Sequence, residues 1–280
     1  MKKAIQTEET VHRSRPLFQR YHPVSTSLMG LVALGLGFAI GIGDANAQYL
    51  GQRDTVKDRA RPELDALGVR AGSFLLFPSV EIEEAYDDNI FKTDNATVDD
   101  HILSIRPALS INSQWSQHAL GFSAGADSAF YADNDDEDYT DYNFAANGRV
   151  DIRRDAHFRG GVSYDEKHED RGSPDDANGV EPSSYNLTQA NAALFNRFTR
   201  VSIEPSFNFS QYDYDDVRTS AGTIINNDDR DRDVMKLGVR TGYMIVPDKY
   251  EAFVRFTYND RDYDDNLDDN GFNRDSDGYE

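Results

Sequence analysis

The sequence predicts an all-β protein, an antiparallel up-and-down transmembrane β-barrel of about nine to ten strands. Three observations favour this fold: apolar and polar residues alternate, the alternating stretches are about 9–14 residues long, and short and long connections follow each other in strict order. A strand with one face in water and one in an apolar environment alternates with period two. Globular strands usually have about 5–6 residues, whereas a tilted membrane strand needs about 9–11.

Nine strands can be placed from this alternation. Between residues 142 and 152, for example, the even-numbered positions are mainly apolar and the odd-numbered positions mainly polar. The predicted strands are 76–86, 102–112, 118–131, 142–152, 157–165, 185–196, 201–210, 232–245 and 250–259, and a tenth begins near Tyr279. Pro78, Pro107 and Pro205 fall in or at the start of strands, and proline removes a donor from the sheet. We therefore expect bulges or strand starts at these three positions.

The connections support a membrane barrel over a soluble sandwich. Four are short, at 113–117, 154–156, 197–199 and 246–249, and five are long, at 87–100, 132–141, 165–184, 213–231 and 260–277. Tight periplasmic turns and long external loops alternate in this way in bacterial outer-membrane barrels. The first strand therefore rises from the periplasmic side.

Aromatic residues are concentrated where strands meet the long loops. An aromatic girdle at the membrane interface predicts this placement, because the ring prefers the interface and the hydroxyl prefers water. The residues assigned to the girdle are Tyr86, Phe91, Tyr131, Tyr142, Tyr164, Tyr185, Tyr212, Tyr214, Tyr258 and Tyr263.

Residues 1–47 are predicted to be a cleavable signal peptide. A basic segment precedes an uncharged apolar run of 15 residues, Leu28–Ile42, and Ala45-Asn46-Ala47 follows as a small-x-small cleavage site. A transmembrane anchor is the alternative, but a spanning helix needs about 20 apolar residues. The mature chain then starts at Gln48, with residues 48–72 as a short periplasmic arm and residues 73–280 as the barrel.

Composition excludes several classes of protein. The leader carries five basic and three acidic residues, so its removal changes the net charge from −21 to −23. Such acidity argues against nucleic-acid binding, which requires clustered basic residues. The absence of cysteine excludes a disulfide scaffold. No cofactor is predicted.

One stretch resembles a known family. The run Arg61–Pro78 (RPELDALGVRAGSFLLFP) leads into Val80-Glu81-Ile82 and then Tyr86–Phe91 (YDDNIF). This is similar to the start of a family of outer-membrane β-barrel porins, in which a related run precedes the first strand and a related box follows it. The resemblance implies a porin-like role in the outer membrane, for some relatives connected with exopolysaccharide secretion, and carries no catalytic residues.

The resemblance also implies that the chain is truncated at its C-terminus. Bacterial barrels have an even number of strands, and nine complete strands do not satisfy this rule. Members of the family end in a strand that closes on an aromatic residue, whereas this chain stops at Asp277-Gly278-Tyr279-Glu280, after a long loop. We expect further hairpins in the complete barrel.

The long loops carry most of the acidic residues. They hold 32 of the 50 acidic residues and only seven basic ones, a local charge of −25. Carboxylate oxygens suit calcium and magnesium, so divalent cations are one hypothesis. The contacts would be Asp135, Asp136, Asp138, Asp264, Asp265 and Asp268. The alternative is a solvated surface that resists aggregation by repulsion.

Charged residues on the polar faces are the candidate lumen lining. They are Arg106, Arg149, Glu204, Arg240 and Arg255, together with Asp151, Lys236 and Glu251. Lumen charge determines which solutes pass, although such residues can also only neutralise one another. An enzyme is not predicted: the Gly-x-Ser-x-Gly pattern at Gly121–Gly125 lies inside a strand, whereas the nucleophile elbow requires a strand–turn–helix.

Two functions fit these observations. The first is a porin-like channel or export pore. The second is a structural or adhesive surface barrel with a closed lumen and cation-binding loops. Outer-membrane lipid, lipopolysaccharide and the barrel-assembly machinery are the implied partners, and polysaccharide is added by the resemblance.

Overall fold

The computed structural model describes residues 66–173, 179–247, 249–268 and 270–280. Within this part of the chain, eleven strands form one antiparallel sheet, and each pairs with its neighbours in chain order. The strands of the sheet are β1 Val69–Ala71, β2 Phe74–Asp87, β3 Asp100–Ser113, β4 Ala119–Tyr131, β5 Tyr139–Arg153, β6 Ala156–His168, β7 Ser184–Phe198, β8 Val201–Tyr214, β11 Arg232–Val246, β12 Tyr250–Tyr263 and β13 Ser276–Tyr279. The loop between β8 and β11 contains a small hairpin, β9 Val217–Arg218 and β10 Ile224–Ile225.

The predicted all-β, up-and-down fold is confirmed. The nine predicted strands correspond to β2–β8, β11 and β12, and the order of short and long connections is as expected. The tenth strand, β13, begins three residues earlier than predicted. In the described ranges, no helix has the length and apolarity required to cross a membrane. The predicted signal peptide, 1–47, and most of the arm, 48–72, lie outside the described residues.

Strand β1 was not predicted. It lies in the last residues of the predicted arm and pairs with the start of β2, with Ala71 opposite Phe74. The two-residue turn between them has Gly72 at a φ of +61°. A two-residue hairpin requires a positive φ at this place, which glycine adopts at little cost. Three residues are too few for an alternation to be detected.

The register separates the sheet into an apolar and a polar face. On β5, Phe144 and Ala146 lie opposite Ala124 and Phe122 of β4, and this face continues across the sheet. Its large side chains are exposed: Phe144 by 52% and Val254 by 74%. An apolar surface of this extent is expected to contact lipid. We call it the outer face and the polar side the inner face.

The three prolines lie inside strands without a bulge, so that expectation was wrong. Pro78 lies on β2 beyond Leu76, the last residue of β2 that β1 covers, so one side of the strand is free there among the described residues. At Pro107 and Pro205, pairing with one neighbour is interrupted over two residues while the register stays the same. The missing N–H is therefore accommodated by a local gap in the sheet. The irregularities of register lie elsewhere, near the short turns after Asp151 and Met244.

The predicted aromatic girdle is only partly correct. By register, Tyr86, Tyr142, Tyr164 and Tyr258 belong to the outer face, as a girdle requires. The remaining residues of the predicted girdle turn inward or pack under the loops: Phe91, Tyr131, Tyr185, Tyr212, Tyr214 and Tyr263. A residue at the end of a strand lies at the height of the membrane interface. The face on which its side chain lies depends on whether it is an even or odd number of residues away from the apolar residues of the same strand.

Candidate functional site

The inner face is the candidate functional surface, and the long loops partly cover one end of it. We call this end, where the long loops leave the strands, the outer mouth. There Ile102, Ala129, Tyr131 and Tyr139 of the inner face are buried. Ile90 of the loop between β2 and β3 is 1% exposed and completes the cluster, against which Phe91 and Val98 pack. The first long loop therefore folds over the inner face.

A buried ion pair joins three of the loops. The Arg171 guanidinium donates two hydrogen bonds to the carboxylate of Glu137, at 2.7 and 3.1 Å. It also donates to the carbonyl oxygens of Gly179 and Val180, both at 2.9 Å, and its Cζ lies 5.8 Å from the centre of the Phe91 ring. The two charged side chains are only 5% and 2% exposed. Arg171 thus links the loops that follow β2, β4 and β6.

Asp100 fixes the start of the second long loop. Its carboxylate accepts hydrogen bonds from the backbone N–H groups of Ala132, Asp133 and Asn134, at 3.0–3.2 Å. The Asn134 side-chain amide adds another at 2.8 Å. Asp100 is 2% exposed. One buried carboxylate therefore holds three successive backbone N–H groups and fixes the path of the chain as it leaves β4.

The five residues predicted to line the lumen all lie on the inner face, and four of them have charged partners. Arg106 contacts Glu81 at 3.0 Å, Glu83 at 2.6 Å and Asp127 at 3.0 Å. The other pairs are Arg149 with Asp151 at 2.7 Å, Glu204 with Arg159 at 2.9 Å, and Arg240 with Glu251 at 2.7 Å. Arg255 has no ion pair among the described residues. Four of the five are thus paired with opposite charges, and the role of all five as a lumen lining stays a prediction.

A recess of about 670 Å³ lies along the acidic part of the inner face. Its charged lining includes Glu81, Arg106, Asp127, Asp141 and Lys167. Uncharged hydrogen-bonding groups complete it: Ser79, Ser123, Asn143, Ser163 and Gln189. This lining can contact water and hydrophilic solutes.

A second inner cluster combines tyrosines with arginines at the outer mouth. Tyr185 stacks on Tyr214 with ring centres 5.0 Å apart. The Arg232 guanidinium lies 4.0 Å from the centre of the Tyr212 ring and 5.9 Å from that of Tyr263. Cations are attracted to the faces of aromatic rings at such distances. The sequence contained a signal for this cluster. Tyr212 is an even-numbered residue of β8, like Glu204 and Asn208, which belong to the polar face.

The acidic residues predicted to contact cations lie in two separate loops. Among the described residues, no group of three or more potential ligands could hold a metal ion. Asp135, Asp136 and Asp138 lie in the loop between β4 and β5, whereas Asp264, Asp265 and Asp268 lie in the loop after β12. Asp138 instead accepts a hydrogen bond from the Tyr131 N–H, and Asp268 accepts from Asn270 and Phe272. These carboxylates organise their own loops, and the cation hypothesis stays untested.

Ser123 of the Gly-x-Ser-x-Gly pattern lies in the middle of β4. Its cross-strand neighbours are Ser110 of β3 and Ala145 of β5. The structural context of a nucleophile elbow, a sharp turn into a helix, is missing at this position. The pattern is therefore explained by small residues on the inner face of a strand.

Asp231 makes the outer mouth sensitive to pH. It precedes β11 and accepts a hydrogen bond from the Tyr214 N–H at 2.6 Å. Burial, helped by the charges of Asp213, Asp228 and Asp264, raises the pKa of Asp231 to about 6 from its ordinary value of 3.8. The folded chain thus holds this proton more tightly than the unfolded chain. Stability is therefore expected to fall as the pH rises from about 4 to about 6.

We expect Asp231→Asn to remove this loss of stability, because asparagine keeps the acceptor oxygen for Tyr214 and carries no charge. The midpoint of thermal unfolding in detergent should be higher than in the wild type at pH 8 and almost equal at pH 4. Asp136→Asn removes one charge from an exposed loop position and is the control, with little effect at either pH. Equal pH dependence in Asp231→Asn and the wild type would contradict the assignment.

Comparison with known proteins identifies the family. No curated protein and no solved structure matches the chain. A family model described as Putative beta-barrel porin 2 matches residues 61–280, which include every strand described above. Membership implies an outer-membrane location and suggests a non-enzymatic role. The up-and-down antiparallel sheet and the apolar outer face agree with this match. The chain therefore belongs to this family of β-barrel porins.

Proposed function

We propose that the protein is a porin-like channel that passes hydrophilic solutes across the outer membrane. The observation that supports this most directly is the polar middle of the inner face, between the apolar cluster at the outer mouth and the short turns. Amide and hydroxyl side chains cover its middle: Ser110, Asn112, Ser123, Asn143, Asn147, Ser163, Gln189, Asn191, Ser206, Asn208 and Ser210. Such groups replace the water that a solute loses on entry.

Export of exopolysaccharide is a narrower form of this proposal, implied by the family resemblance. Sugar hydroxyls form hydrogen bonds with amide and hydroxyl groups, and the inner face is rich in both. The aromatic rings of Tyr185, Tyr212 and Tyr263 add apolar surface at the outer mouth. These features are consistent with a polysaccharide and are equally suited to small hydrophilic solutes.

A structural or adhesive barrel with a closed lumen is the second candidate. The packing of Ile90 on the inner face and the buried Arg171–Glu137 pair favour it, because both hold long loops over the outer mouth. In the channel hypothesis, the same loops narrow the opening without closing it.

Planar-bilayer conductance distinguishes the two candidates. The purified protein, refolded in detergent and shown to be folded by a heat-dependent gel shift, is added to a bilayer in 1 M KCl. The channel hypothesis predicts stepwise conductance that grows in proportion to salt concentration. No measurable conductance at any voltage would contradict it and support the closed barrel.

A further inference from the structure

The charges of the inner face are unevenly distributed across the sheet. By register, β2–β4 contribute five acidic residues and one basic residue, β5–β8 contribute four of each, and β11–β12 contribute one acidic and five basic residues. The acidic members of β2–β4 are Glu81, Glu83, Asp87, Asp100 and Asp127, and the basic members of β11–β12 are Arg232, Lys236, Arg240, Arg255 and Arg261. We call these last five residues the basic track.

Each carboxylate of the acidic side has an ionic or hydrogen-bonding partner among the described residues. Arg106 contacts Glu81, Glu83 and Asp127 at once. Asp87 pairs with Lys92 at 2.8 Å, and Asp100 is saturated by N–H donors. The two cations, Arg106 and Lys92, offset two of these five negative charges, which leaves a net charge of −3 on the acidic side.

Most residues of the basic track have no ionic partner among the described residues. Lys236, Arg255 and Arg261 are exposed and have no ion pair among the described residues. Arg240 forms an ion pair with Glu251. Glu204 on the neighbouring strand pairs with Arg159 and not with the basic track.

Arg232 at the outer mouth has a different environment from a surface arginine. It lies over Tyr212 and near Tyr214 and Tyr263, and its Nη1 donates to the carbonyl oxygen of Arg230 at 2.9 Å. No carboxylate pairs with it within the described ranges. The rings hold the guanidinium in place while its remaining N–H groups stay available for an anion.

The five charges occupy four levels along the barrel wall. Arg261 lies opposite Val234, and Arg255 lies opposite Arg240, so the levels along β11 are residues 232, 234, 236 and 240. A strand rises by about 3.3 Å per residue, which places neighbouring levels about 7, 7 and 13 Å apart. The three levels nearest the outer mouth are therefore close enough for an anion to pass between them, and a longer step of about 13 Å separates Lys236 from Arg240 and Arg255.

We propose that the basic track binds anionic solutes that carry several carboxylate or phosphate groups and guides them through the lumen. Passage of the solute through the lumen rests on the proposed channel function. The binding itself is a property of the folded barrel and does not require conduction. Guanidinium groups suit both carboxylate and phosphate because they offer paired N–H donors.

Calorimetric titration of the refolded protein in uncharged detergent tests the binding. Tripolyphosphate and citrate are the two probes, and they separate phosphate from carboxylate recognition. The track variant Lys236→Gln/Arg255→Gln/Arg261→Gln is expected to bind the preferred probe at least about tenfold more weakly than the wild type. The matched control Arg154→Gln/Arg200→Gln/Lys249→Gln removes three positive charges from the short turns and should change affinity less than about twofold.

A charge-conserving variant separates the effect of charge from a folding defect. Lys236→Arg/Arg255→Lys/Arg261→Lys keeps the three charges and should retain most of the affinity, with a normal heat-dependent gel shift in all variants. Absence of binding by the wild type, equal binding by the track variant, or equal losses in the track and turn variants would overturn the proposal. Binding without any conductance would contradict the channel function and leave the track supported as an anion site.

Discussion

Replacement of Arg171 by alanine is expected to release the loops from the outer mouth. Glu137 would then remain buried without its partner, and breaking a buried ion pair costs about 3–5 kcal/mol. Two amides report on the affected loops: the Glu137 N–H bonds to Asn134, and the Val180 N–H bonds to Arg218 at 2.7 Å. Both should exchange with solvent at least about 100-fold faster, since each 1.4 kcal/mol corresponds to about a tenfold change. If the protein conducts, its conductance should rise as well.

Two further variants show whether the buried charge is responsible. Arg197→Ala removes an arginine that pairs with Asp155 at a short turn, where both side chains are about one-third exposed. Such a pair contributes below about 1 kcal/mol, so the loop amides should be unaffected. Arg171→Met combined with Glu137→Leu removes both charges and should recover most of the protection. Unchanged amide exchange in Arg171→Ala would show that the loops are held by other contacts.

The strands could be predicted from sequence because alternation is a local property. Period two identifies each strand from its own residues, and the lengths of the connections then give the up-and-down order. Strand β1 escaped because it has three residues. The gaps in pairing at Pro107 and Pro205 were not predicted, because the sheet accommodates a missing hydrogen-bond donor without a change of register.

The loop packing could not be predicted, because its contacts have no periodic relation in the chain. Glu137 and Arg171 are separated by 34 residues and belong to different loops. The sequence shows a local excess of acidic residues, and it does not show which carboxylate will be buried with an arginine. Here the contrast is large: Glu137 is 2% exposed, whereas its neighbour Asp136 is exposed.

The basic track lies between these two cases. Arg232, Lys236 and Arg240 are separated by even numbers of residues, so the alternation of β11 alone predicts that they lie on one face. What was missing is the pairing of β11 with β12, which brings Arg255 opposite Arg240. The five residues predicted to line the lumen lie together on the polar face of the sheet. Which of them are neutralised depends on cross-strand neighbours such as Glu81 and Asp127 beside Arg106.

Two adjacent alanines in the middle of β5 test which face contacts lipid. Ala146 lies opposite Phe122 and Val162 on the outer face, and Ala145 lies opposite Ser123 and Ser163 on the inner face. Ala146→Arg is expected to lower the free energy of unfolding by about 2–4 kcal/mol, the cost of an arginine near the midplane of the bilayer on a lipid-facing strand position. Ala145→Arg enters the polar recess and should cost below about 1 kcal/mol.

The measurement is reversible urea unfolding in phosphatidylcholine vesicles, followed by the fluorescence of Trp115. This is the single tryptophan of the chain, and its ring contacts Phe74 with centres 5.5 Å apart, so its emission changes when the sheet separates. The recess beside Ala145 carries Asp127, Asp141 and Asp165, which can neutralise the new cation. The two variants have the same composition and lie one residue apart. A difference of about 2 kcal/mol between them therefore reports the face alone, and equal losses would mean that the apolar side of this sheet does not contact lipid.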